Sequence, residues 1–152
     1  MAPFHPLDPL NAGELASAAE ACRAHASKLG LPSLRFNTIT LLEPPKQELL
    51  AFARGAGAAG AEAPPRRAFC ILQTPGTVEA TVLLEEQGPV VSSWSQVEGV
   101  QPLATPDDCF DAEAIAKGDA GLQALLLEKY GITDLALVAC DPWSGEAFNP
   151  TA

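Results

Sequence analysis

Three strand-length segments separated by two very short turns constrain this chain more than any other feature. The segments lie at residues 67–73, 77–84 and 90–95, and Pro75-Gly76 and Gln87-Gly88-Pro89 mark the turns. Parallel strands need a crossover of about a dozen residues or more, so segments this close in sequence pair antiparallel. The sequence therefore predicts an antiparallel sheet in this part of the chain.

A long amphipathic helix and a further strand precede these segments. The helix is indicated by a capping box, in which Asn11 is the cap and Glu14 follows three residues later. Its predicted apolar stripe consists of Leu15, Ala18, Ala19, Cys22, Ala26 and Leu29. Residues 34–43 are typical of a strand, but Phe36 falls on the opposite face from Ile39, which predicts a bulge or burial on both faces. The first unit is therefore expected to be α+β, with a four-stranded antiparallel sheet covered by a long helix.

Two further helix signals and one apolar segment predict a partial second α+β unit of the same kind. Thr105 and Asp119 each cap a helix, and Gly131 ends the second of them. Residues 135–140 are interpreted as a strand without a hairpin partner in the sequence. Because a lone strand exposes unpaired backbone groups, it either joins the first sheet or belongs to a sheet whose other strands are missing. We favour the missing strands.

The residue types that usually carry chemistry do not form a predicted site. His5 and His25 are the two histidines of the chain, and two ligands on separate segments are too few for a zinc site. Cys22 shares a helix face with His25, but its place on the apolar stripe favours an inert core thiol. Residues 55–60 match the pattern G-x-G-x-x-G. A helical segment precedes them and Pro64-Pro65 block a following helix, which argues against a dinucleotide site.

Charge and cysteine usage narrow the expected partners and compartment. With 19 acidic and 9 basic residues the formal net charge is −10, which disfavours nucleic acid and anionic membranes as partners. No run of residues is apolar enough for a membrane span, and the N-terminus does not resemble a secretory signal. The cysteines are far apart in sequence: Cys22, Cys70, Cys109 and Cys140. Their spacing predicts reduced thiols in an intracellular protein.

Two further groups of residues have structural explanations that compete with functional ones. An acidic cluster is interpreted as helix-capping charge rather than a calcium loop. It consists of Asp107, Asp108, Asp111, Glu113 and Asp119. Trp94 and Trp143 each lie at a unit boundary and are expected to anchor a core or an interdomain contact, with an aromatic docking surface as the alternative.

Four short motifs, in a fixed order along nearly the whole chain, carry a resemblance to a known family. The motifs are His5-Pro6-Leu7-Asp8-Pro9-Leu10, Glu43-Pro44-Pro45-Lys46, Gly99-Val100-Gln101-Pro102 and Asp141-Pro142-Trp143-Ser144. Together they resemble the N-terminal α/β domains of copper-containing primary amine oxidases. The resemblance implies that residues 1–95 form that family's second N-terminal domain and residues 96–152 a truncated third domain.

The resemblance also implies an activity that the residues present do not supply. The family oxidises primary amines to aldehydes, with release of ammonia and hydrogen peroxide. It uses three copper-binding histidines, an aspartate base and a quinone made from the tyrosine of an Asn-Tyr-Asp/Glu motif. Here Tyr130, the single tyrosine, stands in Lys-Tyr-Gly. No catalytic, cofactor-binding or metal residue is therefore carried over to this chain.

The resulting hypothesis is an accessory N-terminal region, whose partner is the missing catalytic domain of a typically homodimeric, cytoplasmic or peroxisomal enzyme. Copper and the quinone would belong to that enzyme, and the chain alone is expected to be inactive. One alternative is a free-standing binding or adaptor module without catalytic activity. Another is a small thiol enzyme, which rests on Cys22 alone.

Overall fold

The computed structural model describes residues 5–55 and 63–141, and the chain divides into two compact units, Met1–Leu103 and Ala104–Ala152. The first unit contains α1 (Ala12–Lys28), β1 (Arg35–Leu42), α2 (Lys46–Gly55), β2 (Arg67–Gln73), β3 (Thr77–Glu85) and β4 (Gly88–Val97). The second contains α3 (Pro106–Gly118), α4 (Ala120–Tyr130) and a short 3₁₀ helix (Leu135–Leu137). The prediction of an α+β fold with four antiparallel strands is confirmed.

The sheet has the order β1-β2-β3-β4, and every neighbouring pair is antiparallel. The predicted bulge in β1 is present, since the register with β2 shifts between Phe36 and Thr38. The register of β3 with β4 shifts in the same way between Thr81 and Val82, and the two strands stay paired on both sides of the shift. The short turns dictate this simple order, because each strand pairs with the next one in sequence.

Helix α1 covers one face of the sheet and forms the core with it. Its capping box is present as predicted: the Asn11 side chain accepts from the Glu14 N–H, and the Glu14 side chain accepts from the Asn11 N–H. The buried core residues are Ala18, Cys22, Ala26, Ala68, Cys70, Leu72, Val78, Ala80 and Val82. The ends of the predicted stripe lie further out, with Leu15 36% and Leu29 54% exposed. Small side chains at the centre of α1 let the helix approach the sheet closely.

The segment after β4 also belongs to the first unit. The Thr77 hydroxyl donates to the carbonyl of Val100 at 2.8 Å, and the Asn37 side-chain amide donates to the carbonyl of Leu103 at 2.5 Å. These bonds tie the segment to β3 and β1. The strand β4 runs through Val97, past the predicted division after residue 95. The assignment of the two units to named family domains stays a prediction.

The second unit confirms the helix signals and corrects the strand. The caps at Thr105 and Asp119 are present, and Gly131 ends α4 with a left-handed φ of 66°. The predicted strand at residues 135–140 is wrong, because the chain forms a 3₁₀ turn there that Asp134 caps. A turn satisfies its backbone groups locally, whereas a strand needs a neighbour, and none is paired with this segment in the described part of the chain.

The helices of the second unit differ from α1 in their burial. Neither α3, α4 nor the 3₁₀ turn contributes a buried residue among those described. Large apolar side chains are instead exposed: Phe110, Ile115, Leu125, Leu127, Tyr130 and Leu137. Across residues 5–55 and 63–141, no helix combines the length and the apolar character needed to cross a bilayer.

Candidate functional site

The two histidines pack in separate places. The ring of His5 meets that of Phe52 edge-on, with centroids 6.0 Å apart, and His5 Nδ1 accepts from the Leu7 N–H. His25, on α1, lies 4.9 Å from the Trp94 ring, between centroids. Each imidazole therefore has an aromatic neighbour of its own. Trp94 packs against the core, as predicted, whereas Trp143 lies outside the described residues.

The structure does place Cys22 in the core, beside Cys70. Both thiols are fully buried in the cluster between α1 and the sheet. A hydrogen bond to Cys70, together with burial, raises the pKa of the Cys22 thiol. Because the thiolate is the nucleophilic form, this environment disfavours nucleophilic chemistry at Cys22.

The described residues do not fit a copper–quinone centre. Within residues 5–55 and 63–141, no three or more His, Cys, Asp or Glu side chains come together in a group suited to hold a metal ion. Tyr130 lies in the last turn of α4 and is 69% exposed. The Asp108 carboxylate accepts from the Thr105 N–H at the start of α3, and the Asp119 carboxylate accepts from the Leu122 N–H at the start of α4. Both residues therefore cap helices, as predicted. The G-x-G-x-x-G segment is preceded by α2, which ends at Gly55, and its other residues through Gly60 lie outside the described residues.

A polar cluster centred on Arg66 joins three segments of the first unit. The Arg66 guanidinium donates from Nε to Glu14 Oε1 at 2.5 Å and from Nη2 to Glu14 Oε2 at 3.1 Å. The same group reaches the backbone carbonyls of Asp8 at 3.0 Å and Pro9 at 3.2 Å, and that of His5 at 3.4 Å. One side chain thereby joins the N-terminal segment, the first turn of α1 and the chain just before β2.

The Arg66 cluster is shielded from water and electrostatically strong. The side chains of Arg66 and Glu14 are 14% and 17% exposed. The hydrogen bond from Arg66 lowers the pKa of Glu14 against the opposing effect of burial. A bidentate, partly desolvated pair of this kind is stronger than a typical surface ion pair. The cluster therefore fixes the direction in which the chain enters α1.

Sequence reasoning missed this role of Arg66. In the sequence, Arg66-Arg67 is only a basic pair at the start of a strand, too small to indicate a binding patch. The partners lie 52 residues or more before Arg66, so no local pattern identifies them. The motif residues Pro6 and Pro44 are both buried, which gives two of the four motifs a packing role.

Two clefts follow α1 along its side nearest the start of β4. The first, about 350 Å³, is bordered by the first turns of α1 and by the acidic residues Glu85 and Glu86. The second, about 260 Å³, is bordered by the last turns of α1, including His25 and Lys28. Pro89 lines both clefts.

Comparison with known proteins identifies the scaffold. Residues 5–94 match the family model described as "Copper amine oxidase, N2 domain". The chain belongs to the copper amine oxidase family. The match takes in the first two motifs, residues 5–10 and 43–46, and ends at Trp94 within β4, so it covers α1 and most of the sheet. The family resemblance is thus confirmed.

Comparison with three relatives gives the share of a copper amine oxidase's length that this chain matches. It is 34% identical to "Copper amine oxidase 1" of Schizosaccharomyces pombe over 91% of this chain and 19% of the relative. It is 33% identical to the "Primary amine oxidase" of an Arthrobacter species over 92% of this chain and 20% of the relative. It is 29% identical to "Diamine oxidase [copper-containing] 1, peroxisomal" of Nicotiana tabacum over 91% of this chain and 21% of the relative. The chain spans about a fifth of the length of these relatives.

Proposed function

We propose that this chain is the accessory N-terminal region of a copper- and quinone-dependent primary amine oxidase and that it does not oxidise amines by itself. The family match over residues 5–94 carries the proposal. It is supported by the placement of the residue types that a redox centre needs, since His5 and His25 pack on different aromatic rings and Tyr130 is exposed at the end of a helix.

In this proposal the parent enzyme converts an amine to an aldehyde, ammonia and hydrogen peroxide. Its catalytic domain would hold the copper ligands, the aspartate base and the quinone-forming tyrosine. The role of this chain would be to pack beside that domain, and the parent would be a homodimer. A cytoplasmic or peroxisomal location is part of the proposal, supported by the word "peroxisomal" in the names of relatives from Nicotiana tabacum and Pichia angusta.

The direct test measures metal content and amine oxidation on the purified 152-residue chain. After incubation with copper and removal of excess metal, we expect far less than one copper per chain by elemental analysis. A peroxide-coupled assay with several primary amines should give no turnover above the buffer rate. The Arthrobacter primary amine oxidase, treated identically, is the positive control. Stoichiometric copper together with amine-dependent peroxide release from this chain would overturn the proposal.

A free-standing binding module is the second candidate, because the first unit has a complete four-stranded sheet and a buried core of its own. That candidate also requires a paired strand at residues 135–140, where the structure has a 3₁₀ turn. Hydrogen exchange separates the two. Strong protection of the amides of residues 135–140 in the isolated chain would favour the binding module, and fast exchange would favour the accessory region.

A further inference from the structure

The smaller cleft beside α1 has the features of a binding site for a small ligand. Its walls are Ala21 and Ala24 on the helix side and residues 89–91 on the strand side. His25 and Lys28 supply its polar groups. We propose that this cleft binds small carboxylates with a compact apolar body, a function independent of the proposed amine oxidase role.

The charge of the ligand follows from the two polar groups. Within residues 5–55 and 63–141, Lys28 has no ion pair. The ring nitrogens of His25 likewise have no hydrogen-bond partner among the described residues, and its one ring contact is with Trp94. Two basic groups at one cleft, in a chain of net charge −10, favour an anion, because an ammonium and an imidazole N–H both donate to a carboxylate.

The apolar body of the ligand follows from the walls. Val90 is 51% exposed at the start of β4, and the neighbouring helix positions Ala21 and Ala24 carry small side chains that leave the space open. Covering such apolar surface is favourable, because it removes that surface from water. The volume of about 260 Å³ is close to the lower limit of typical ligand pockets, about 300 Å³. It therefore suits a ligand of one ring or one short branched chain.

The geometry also fixes how the ligand would lie. His25 is held by its contact with Trp94, with 34° between the ring planes, so the imidazole is restrained at the edge of the cleft. Lys28 is one helical turn further on, at the solvent end. The carboxylate would therefore face Lys28 and His25, and the apolar body would rest on Ala24 and Val90.

The test is a nuclear magnetic resonance titration of the full 152-residue chain with benzoate. We expect saturable shifts at the amides of Ala24 and Val90 and at the Trp94 indole, with a Kd on the order of millimolar for so small a ligand. Benzylamine and benzyl alcohol, which have the same ring with a cationic or neutral head, should bind at least about fivefold more weakly.

Matched variants assign the binding to this cleft. Lys28→Gln should weaken benzoate by about threefold or more, as expected for loss of a partly exposed ion pair. Lys46→Gln, at the start of α2, is the control and should bind as the wild type does. Ala24→Leu fills the cleft from an exposed helix position, where leucine is well tolerated, and should remove the saturable shifts.

Three results would overturn the proposal. The first is that the Ala24, Val90 and Trp94 signals show no saturable shift at benzoate concentrations up to about tenfold above the expected Kd. The second is that benzylamine binds as tightly as benzoate. The third is that Lys28→Gln binds benzoate with the affinity of the wild type. Circular dichroism of each variant establishes that the helices are retained. If Ala24→Leu did not fold, the Lys28→Gln and Lys46→Gln pair would still decide the question. The outcome leaves the amine oxidase proposal untouched, since that is tested by copper content and turnover.

Discussion

The two units use the same helix-capping signals but differ in what their helices pack against. Helix α1 begins at a capping box, buries Ala18, Cys22 and Ala26, and covers a sheet. Helix α3 begins at an equally complete capping box and buries none of its described residues. The difference shows that local sequence signals place a helix, whereas a core requires a second layer against which that helix packs, here the sheet.

The largest expected contrast comes from removing an apolar side chain in each unit. Leu72→Ala empties part of the core at a fully buried position and should cost between about 2 and 5 kcal/mol of unfolding free energy. Ile115→Ala acts at a position 75% exposed in α3 and should change stability by less than about 0.5 kcal/mol. Urea unfolding followed by tryptophan fluorescence and by circular dichroism measures both. A large loss in Ile115→Ala would show that the second unit buries this residue in solution.

The Arg66 cluster provides the next contrast, this time between neighbouring arginines. Arg66→Ala removes the guanidinium that donates to the partly buried Glu14 carboxylate and to three backbone carbonyls, and should cost about 2 to 3 kcal/mol. Arg67→Ala removes an ion pair with Glu48 whose atoms are 3.8 Å apart and more exposed, and should cost about 1 kcal/mol or less. Thermal unfolding compares them. Equal losses would contradict the assigned role of Arg66.

The same cluster predicts a pH dependence with a definite sign. Because Arg66 lowers the pKa of Glu14 in the folded state, the stabilisation is complete above the unfolded pKa of about 4.3. It is lost as the pH falls through the folded value. The stability difference between the wild type and Glu14→Gln should therefore be constant from about pH 7 to about pH 5 and shrink below about pH 4.

Denaturant unfolding at several pH values measures that difference. Glu48→Gln, which alters the weaker Arg67 pair, is the control and should follow the wild type within about 0.5 kcal/mol throughout. A Glu14→Gln difference that grows as the solution becomes more acidic would refute the proposed pairing.

The comparison of the units also explains which features could be predicted from the sequence. The caps at Asn11, Thr105 and Asp119 and the bulge in β1 depend on neighbours a few residues away, and all are present. The strand at residues 135–140 was wrong because apolar composition does not supply a pairing partner. That segment has β-type residues, yet Leu135–Leu137 form a 3₁₀ turn that Asp134 caps.

The same distinction holds for the candidate site residues: features set by neighbouring residues were predicted, and contacts between residues far apart in sequence were not. Burial of Cys22 follows from helical periodicity and was predicted. The Arg66 network and the cleft at His25 were not predicted, since each joins elements far apart in sequence: Arg66 to Glu14, and His25 to Trp94. Nothing in the order of residues between 14 and 66 specifies that contact. It depends on the fold placing the residue just before β2 beside the first turn of α1.

The smallest expected effect compares the capping boxes of α1 and α3. Each should stabilise its own helix by a similar free energy, but only the one in α1 should affect the main unfolding transition. Asn11→Ala and Thr105→Ala each remove a capping box and should each cost about 1 kcal/mol in their own helix. In α1 the loss should appear as a lower midpoint of the main unfolding transition, because α1 covers the core. In α3, which buries none of its described residues, it should appear as faster hydrogen exchange in the first turn, with the main transition unchanged. If Thr105→Ala lowered the main transition as much as Asn11→Ala, the two units would unfold as one, and the contrast drawn between them would fail.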